Sequence, residues 1–290
     1  MANIKDLKKR IKSTKGTLKI TTAMKLVSAA KMAKAVDAIV NSRPYANELE
    51  KTVKTMTTLN ESYHHPYLEK NTNPENYLLV ISSNKGLCGS YNFQLVKKVK
   101  EFVKNNSATK ILSIGKKGKE LLSKSMNMGK NFSFTHVDPT WEEMRAVALE
   151  LGQLYAGKEV GKIFVAYNKF QSAISNESVI KQVLPFELPL EEKKALKDSF
   201  PFDFKYDVPA QDILEELIPQ ALCISLYTAV LDALASEHSS RMSAMDNASK
   251  NCKEMIRTLT LKMNKLRQAS ITTELIEVVS GASALSNQGE

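Results

Sequence analysis

The sequence is short of the groups that usually carry chemistry. Its three cysteines, Cys88, Cys223 and Cys252, lie far apart without C-x-x-C spacing, which excludes a disulfide framework and points to a reduced compartment. Zinc is excluded on the same ground, and the four histidines, His64, His65, His136 and His238, are too scattered to make a metal site. Neither G-x-x-x-x-G-K-[ST] nor G-x-G-x-x-G occurs, so Gly86, Cys88 and Gly89 read as a tight turn and not as a phosphate cradle. Cys88 has no nearby His and acid to activate it. No run of eighteen apolar residues occurs, and the opening Met-Ala-Asn-Ile-Lys-Asp-Leu-Lys-Lys-Arg lacks an apolar signal core. The expectation is a chain that neither spans a membrane nor is exported.

Proline is missing from Glu237 to Leu285, and Gly281 is the only glycine there. What fills this stretch is a repeat: Met245, Ala248, Cys252, Met255, Leu259, Lys262, Leu266, Ala269, Thr273, Ile276 and Ser280 follow one another by threes and fours. That spacing predicts a coiled-coil helix of about five heptads. A helix of about fifty residues would run roughly 75 Å, too long to bury its seam alone. The first 59 residues predict a partner, with Ile4, Leu7, Ile11 and Leu18, then Ala23, Val27 and Ala30, stepping the same way. Gly16 weakens this helix, and Pro44 should kink or break it near Arg43. Ala23, Ala29, Ala30, Ala33 and Ala35 would admit a close neighbour.

Charge is unevenly spread over the 290 residues, whose formal net charge is +10. Residues 1–59 hold thirteen Lys and Arg against four Asp and Glu, whereas residues 210–290 hold seven against ten. Helices of opposite balance favour each other. The first nevertheless keeps more positive charge than the second neutralises, which implies an acidic third party.

Between them the period changes. After a polar linker, Tyr77–Ile81, Lys110–Ile114, Phe132–Phe134 and Lys162–Ala166 read as strands, with Ser178–Leu184 as an additional one. Helical stretches at Phe93–Val103, Lys117–Lys124 and Trp141–Tyr155 separate them, predicting a parallel, Rossmann-like sheet. The expected fold is therefore α/β, a long antiparallel two-helix coiled coil from the terminal segments plus a central Rossmann-like domain. The expected division is a helix over 1–59, a linker over 60–74, the α/β domain over 75–208 and a helix over 209–290. With overlap ending near residue 265, Ile271, Leu275, Ile276, Val278, Val279 and Leu285 are left as apolar surface that something must wrap around.

Four segments carry a family resemblance: Ile20-Thr-Thr-Ala-Met-Lys-Leu-Val-Ser-Ala-Ala-Lys-Met, Ser42-Arg-Pro-Tyr45, Lys85-Gly-Leu-Cys-Gly-Ser-Tyr-Asn92 and Leu266-Arg-Gln-Ala-Ser-Ile-Thr-Thr-Glu-Leu-Ile-Glu-Val-Val-Ser-Gly-Ala282. They stand in the family's order, and the whole chain resembles the gamma subunits of the F-type ATP synthases. The resemblance implies a rotor shaft inside a ring of three alpha and three beta subunits. Its foot would meet the epsilon subunit and the membrane c-ring, on the cytoplasmic face of a bacterial cell membrane. Proton flow would turn the shaft, driving the beta sites through their states, while the shaft itself would be non-catalytic and bind no cofactor or metal. Epsilon-mediated regulation of ATPase activity would remain possible.

Residue by residue, the resemblance implies that Met24 and Lys25 face an acidic beta-subunit loop. Arg267, Gln268, Thr272 and Glu274 would contact the ring higher up, and Leu275, Ile276, Val278, Val279 and Leu285 would form the bearing tip. Without it, Met24 reads as core, Lys25 as a solvated lysine, and the polar set as ordinary exposed helix residues. Arg241 would join an internal network. The chain lacks the central insertion and dithiol of the chloroplast form, so redox gating is not expected. Two other readings are weaker. A nucleic-acid binder would interleave its lysines with aromatics, yet Tyr45 is the only aromatic in the first helix. An α/β enzyme would show acid–base pairs or a phosphate loop at strand ends.

Overall fold

A computed structural model of the chain describes residues 4–60, 63–106, 108–132, 134, 139–173, 175–186, 194–195, 198 and 205–286, with side chains described through 280. Helix α1 (Ile4–Leu59) opens the chain and helix α5 (Ala210–Ser286) closes it. Strands β1 (Asn76–Ile81), β2 (Thr109–Ile114), β3 (Met128–Phe132), β4 (Lys162–Phe170) and β5 (Asn176–Leu184) form one sheet in the order β3-β2-β1-β4-β5. The first four run parallel, and β5 returns antiparallel to β4. Helices α2 (Tyr91–Asn105), α3 (Lys116–Leu122) and α4 (Trp141–Ala156) make the crossovers. The architecture is the expected one: an α/β sheet of Rossmann type and two long antiparallel helices.

The chain divides into two compact units, Ser28–Arg241 and Met1–Val27 with Met242–Glu290. In the first, the sheet separates two apolar layers. One face carries Leu78, Val80, Ile111 and Ala166 against Leu95, Val99 and Leu122 of α2 and α3. The other carries Leu79, Ile81, Ile163 and Val165 against Leu151 of α4, Leu49 and Val53 of α1, and Leu222 and Leu226 of α5. The lower parts of both long helices are thus core elements of the α/β unit. This explains a feature of α5: over eighteen residues it is apolar enough to cross a bilayer, yet most of that window is buried inside the fold.

In the second unit the two helices pair alone. On α1 the covered positions are Ile4, Leu7, Ile11, Thr14, Leu18, Thr21 and then Met24 and Lys25. On α5 they are Met245, Ser249, Cys252, Ile256, Leu259, Met263, Leu266 and Ser270, alternating steps of four and three. The sequence reading is corrected on both helices. Met255 is 54% exposed and Lys262 is exposed, because the seam takes a step of four to Ile256 and again to Met263. Ala23 and Val27 point outward, and Thr21 and Met24 take the inner face.

Two further expectations change. Pro44 does not break α1, which runs through it to Leu59. Pro44 lies on the exposed side with Val40, whose carbonyl loses its usual donor, while Ile39 and Leu49 anchor the inner side. The third strand is Met128–Phe132, ahead of the expected Phe132–Phe134. It is a sheet edge, so polar Lys130 and Asn131 are tolerated, and Asn131 accepts a hydrogen bond from Ser113 Oγ at 2.8 Å.

Candidate functional site

In the helix pair of residues 4–27 and 242–280 the usual order of inside and outside is partly inverted. Polar groups join the helices: Ser249 Oγ donates to Thr21 Oγ1 at 2.9 Å, and Lys25 Nζ donates to Asp246 Oδ1 at 2.6 Å. Lys250 takes the other Asp246 oxygen at 2.8 Å. Hydrogen bonds from Lys25 and then Lys250 hold the Asp246 carboxyl down at about 2. Meanwhile Ile20, Leu26 and Val27 of α1 and Met255 and Leu261 of α5 are exposed. Apolar side chains grouped outside a polar contact mark a surface made to be covered.

Past the described start of α1 the second helix is largely exposed. From Arg267 to Ser280 every residue except Ser270 is exposed. Arg267, Gln268, Thr272 and Glu274 lie together on this bare length, where Ser270 Oγ donates to Glu274 Oε1 at 3.0 Å and Thr272 Oγ1 to the Gln268 carbonyl at 2.9 Å. Leu275, Ile276, Val278 and Val279 follow, between 60% and 70% exposed. The side chain of Leu285 lies outside the described residues, as does His136. Met24 and Lys25 do not join this group. Asp246, the partner of Lys25, is roughly 30 Å below Arg267 along α5.

The third candidate is the crevice at the carboxyl ends of β1 and β4, where strand order reverses and open α/β sheets usually bind ligands. Here α5 fills it. The Arg241 guanidinium, only 9% exposed, donates to the Lys85 carbonyl at 3.1 Å and the Gly86 carbonyl at 3.3 Å, and pairs with Glu237 at 2.8 Å. The turn it grips is tight, with Leu87 and Gly89 both in the left-handed region at φ 62° and 59°. Cys88 in this turn is buried, and burial pushes its thiol up, away from the thiolate a nucleophile needs. Around it Tyr91 Oη donates to the Ala233 carbonyl at 3.1 Å and Ser236 Oγ to the Asn168 carbonyl at 2.9 Å. The crevice is a joint between sheet and helix. Sequence reasoning singled out Arg241 and the tight turn of Gly86, Cys88 and Gly89; the run Ala233, Ala235, Ser236, Ser239, Ser240, small and polar where a core helix should be bulky, was the signal for the rest.

A groove of about 960 Å³ beside β5 is lined by α1, β4, β5 and α5. Four basic and two acidic side chains line it: Arg43 meets Asp232 at 3.2 Å, Lys181 and Lys54 share Glu50 at 3.4 and 3.1 Å, and Lys169 is the fourth cation. Among the described residues no group of three His, Cys, Asp or Glu stands ready for a metal ion.

A family model described as ATP synthase matches residues 3–285. The ATP synthase gamma chain of Anaeromyxobacter sp. (strain Fw109-5) is 38% identical over 293 residues, covering 98% of this chain and 100% of its own. That of Christiangramia forsetii is 39% identical over 290 residues, covering 98% and 99%. Among solved structures, a chain of the Tetrahymena thermophila mitochondrial ATP synthase central stalk and c-ring is similar at TM-score 0.61 and 27% identity, over 79% of this chain and 99% of that one. A chain of the Euglena gracilis mitochondrial ATP synthase, in rotational state 3, reaches TM-score 0.69 at 17% identity over 99% and 96%, a likeness of fold.

Proposed function

The chain belongs to the ATP synthase gamma chain family, and from that premise we infer how its surfaces serve the central-stalk rotor of an F1Fo ATP synthase. It is a subunit of that membrane-associated complex, working with alpha and beta subunits, epsilon and the c-ring. Its part is mechanical. An off-axis helix pair contacts three chemically identical beta subunits differently at each angle, and differential contact is what shifts an equilibrium between states. The catalytic sites then belong to the ring, and this chain makes no bond. A peripheral position on the cytoplasmic face of the bacterial cell membrane is supported by the bacterial source of its relatives.

The observation that carries the reading is the exposed end of α5, apolar from Leu275 to Val279 but for Glu277. Such a surface suits a bearing enclosed by a ring. Arg267, Gln268, Thr272 and Glu274 are the polar contacts below it, and Leu285 extends the bearing. Met24 and Lys25 engage an acidic loop of a beta subunit. In the free chain Lys25 rests on Asp246, and the loop competes with that partner. Reconstitution with alpha and beta subunits tests the reading: a stoichiometric complex with restored ATPase activity is expected, and failure to form one would sink it.

A further inference from the structure

Torque cannot cross an apolar contact as securely as a bonded one. Apolar burial is non-directional, so a helix held by it alone can turn or slide, whereas hydrogen bonds fix angle as well as distance. Along α5 the inner face changes character. Leu222, Leu226 and Val230 are core residues, but from Ala233 to Arg241 the buried positions are Ala233, Ala235, Ser236, His238, Ser239 and Arg241, the first three and Ser239 being small. Small side chains bring the helix backbone against the sheet, and successive turns are bonded to the α/β body. Tyr91 Oη reaches the Ala233 carbonyl, Ser236 Oγ the Asn168 carbonyl, Ser239 Oγ the Ala173 carbonyl at 2.6 Å, and Asn176 Nδ2 the Ser240 hydroxyl at 3.0 Å.

Asn168 is the centre of this set. It is 2% exposed in β4, its Nδ2 donates to the Tyr91 carbonyl at 3.1 Å, and its Oδ1 accepts from Ser178 Oγ at 2.6 Å. With its own carbonyl on Ser236, one residue ties β4, β5, the first turn of α2 and α5 together. We propose that Asn168 and Ser236 form a polar key that fixes the rotational phase of α5 on the sheet, making them positioning residues through which torque passes between the α/β body and the long helix. The proposal rests on the rotor reading and adds to it a place where the rotor would slip.

The test uses the complete synthase in lipid vesicles, assembled with the wild-type chain or with Ser236→Ala, Asn168→Ala or Leu122→Ala. Leu122 is fully buried in the apolar layer under α2 and α3, so its loss weakens the fold without removing a hydrogen bond of the key. Hydrolysis and ATP-driven ion pumping are measured together. In Ser236→Ala and Asn168→Ala, ions pumped per ATP should fall about fivefold with hydrolysis nearly unchanged, as expected for loss of a buried hydrogen bond from a loaded joint. Leu122→Ala should keep the wild-type ratio. Should Asn168→Ala fail to fold, Ser236→Ala decides alone, since alanine suits a helix interior. Normal wild-type pumping with an unaltered Ser236→Ala ratio overturns the key, and so does an equal fall in Leu122→Ala. A wild-type chain that neither assembles nor pumps overturns the rotor reading and the key with it.

Discussion

Lys25 and Arg241 show what one residue does in two settings. Lys25 pairs with Asp246 at a surface where both side chains keep solvent contact, so the bond sets geometry more than stability. Its pH signature has a definite sign. The Asp246 carboxyl titrates at about 2 against an ordinary 3.8, so the ionised pair favours the folded helix pair above about 3.8 and that contribution is lost as pH falls through 2. Lys25→Ala should bring the Asp246 titration, followed by NMR, up by about one unit or more; an unmoved titration would remove Lys25 as the cause. Arg241 is buried, and Arg241→Ala leaves the Glu237 carboxylate, only 13% exposed, without that partner. The expected loss is about 3 kcal/mol in denaturant unfolding, and a loss below about 1 kcal/mol would mean that water takes its place. At this scale the sequence was a partial guide. Arg241 was visible as a charge on a core helix with Glu237 one turn before it, but its carbonyl acceptors are in a turn some 155 residues away, which no local pattern encodes.

The elements were more legible than their registers. Three- and four-residue steps announced both long helices, yet neighbouring candidates at 255 and 256, or 262 and 263, leave the choice of step open. Only pairing with α1 decides it, selecting Ile256 and Met263. The correction makes a direct claim: Ile256→Ala should lower the stability of the helix pair by about 1–2 kcal/mol in thermal or urea melts, and Met255→Ala by less than about 0.5 kcal/mol. Reversed costs would restore the other register. The edge strand β3 was misplaced because its polar residues imitate a loop, whereas β1, β2 and β4, buried on both faces, read as plain apolar runs. Gly115 marks another boundary. Its φ is 92° and an added Cβ would strike the Ser82 carbonyl, so Gly115→Ala should cost about 3 kcal/mol or more by the same melts; a tolerated alanine would show that the β2–α3 turn can rearrange.

For the whole molecule, composition gave the two-part plan, and the charge imbalance gave the need for an acidic partner. The uncovered end of α5 gave the need for an enclosing one. The proposed contact residues come only through resemblance, because on a lone chain Arg267 or Thr272 is an ordinary exposed helix residue. Ending the chain before Ile276 should loosen the complex with alpha and beta subunits, seen as faster dissociation on dilution; equal stability would detach the apolar tip from the bearing role. The central claim is that this chain turns within the ring. Its most direct measurement fixes the alpha and beta subunits to a surface, attaches an optical probe to the exposed face of α2, and adds ATP. The expected result is sustained rotation of the probe in one direction, stopping when ATP is exhausted; a probe that stays still while ATP is hydrolysed would contradict it.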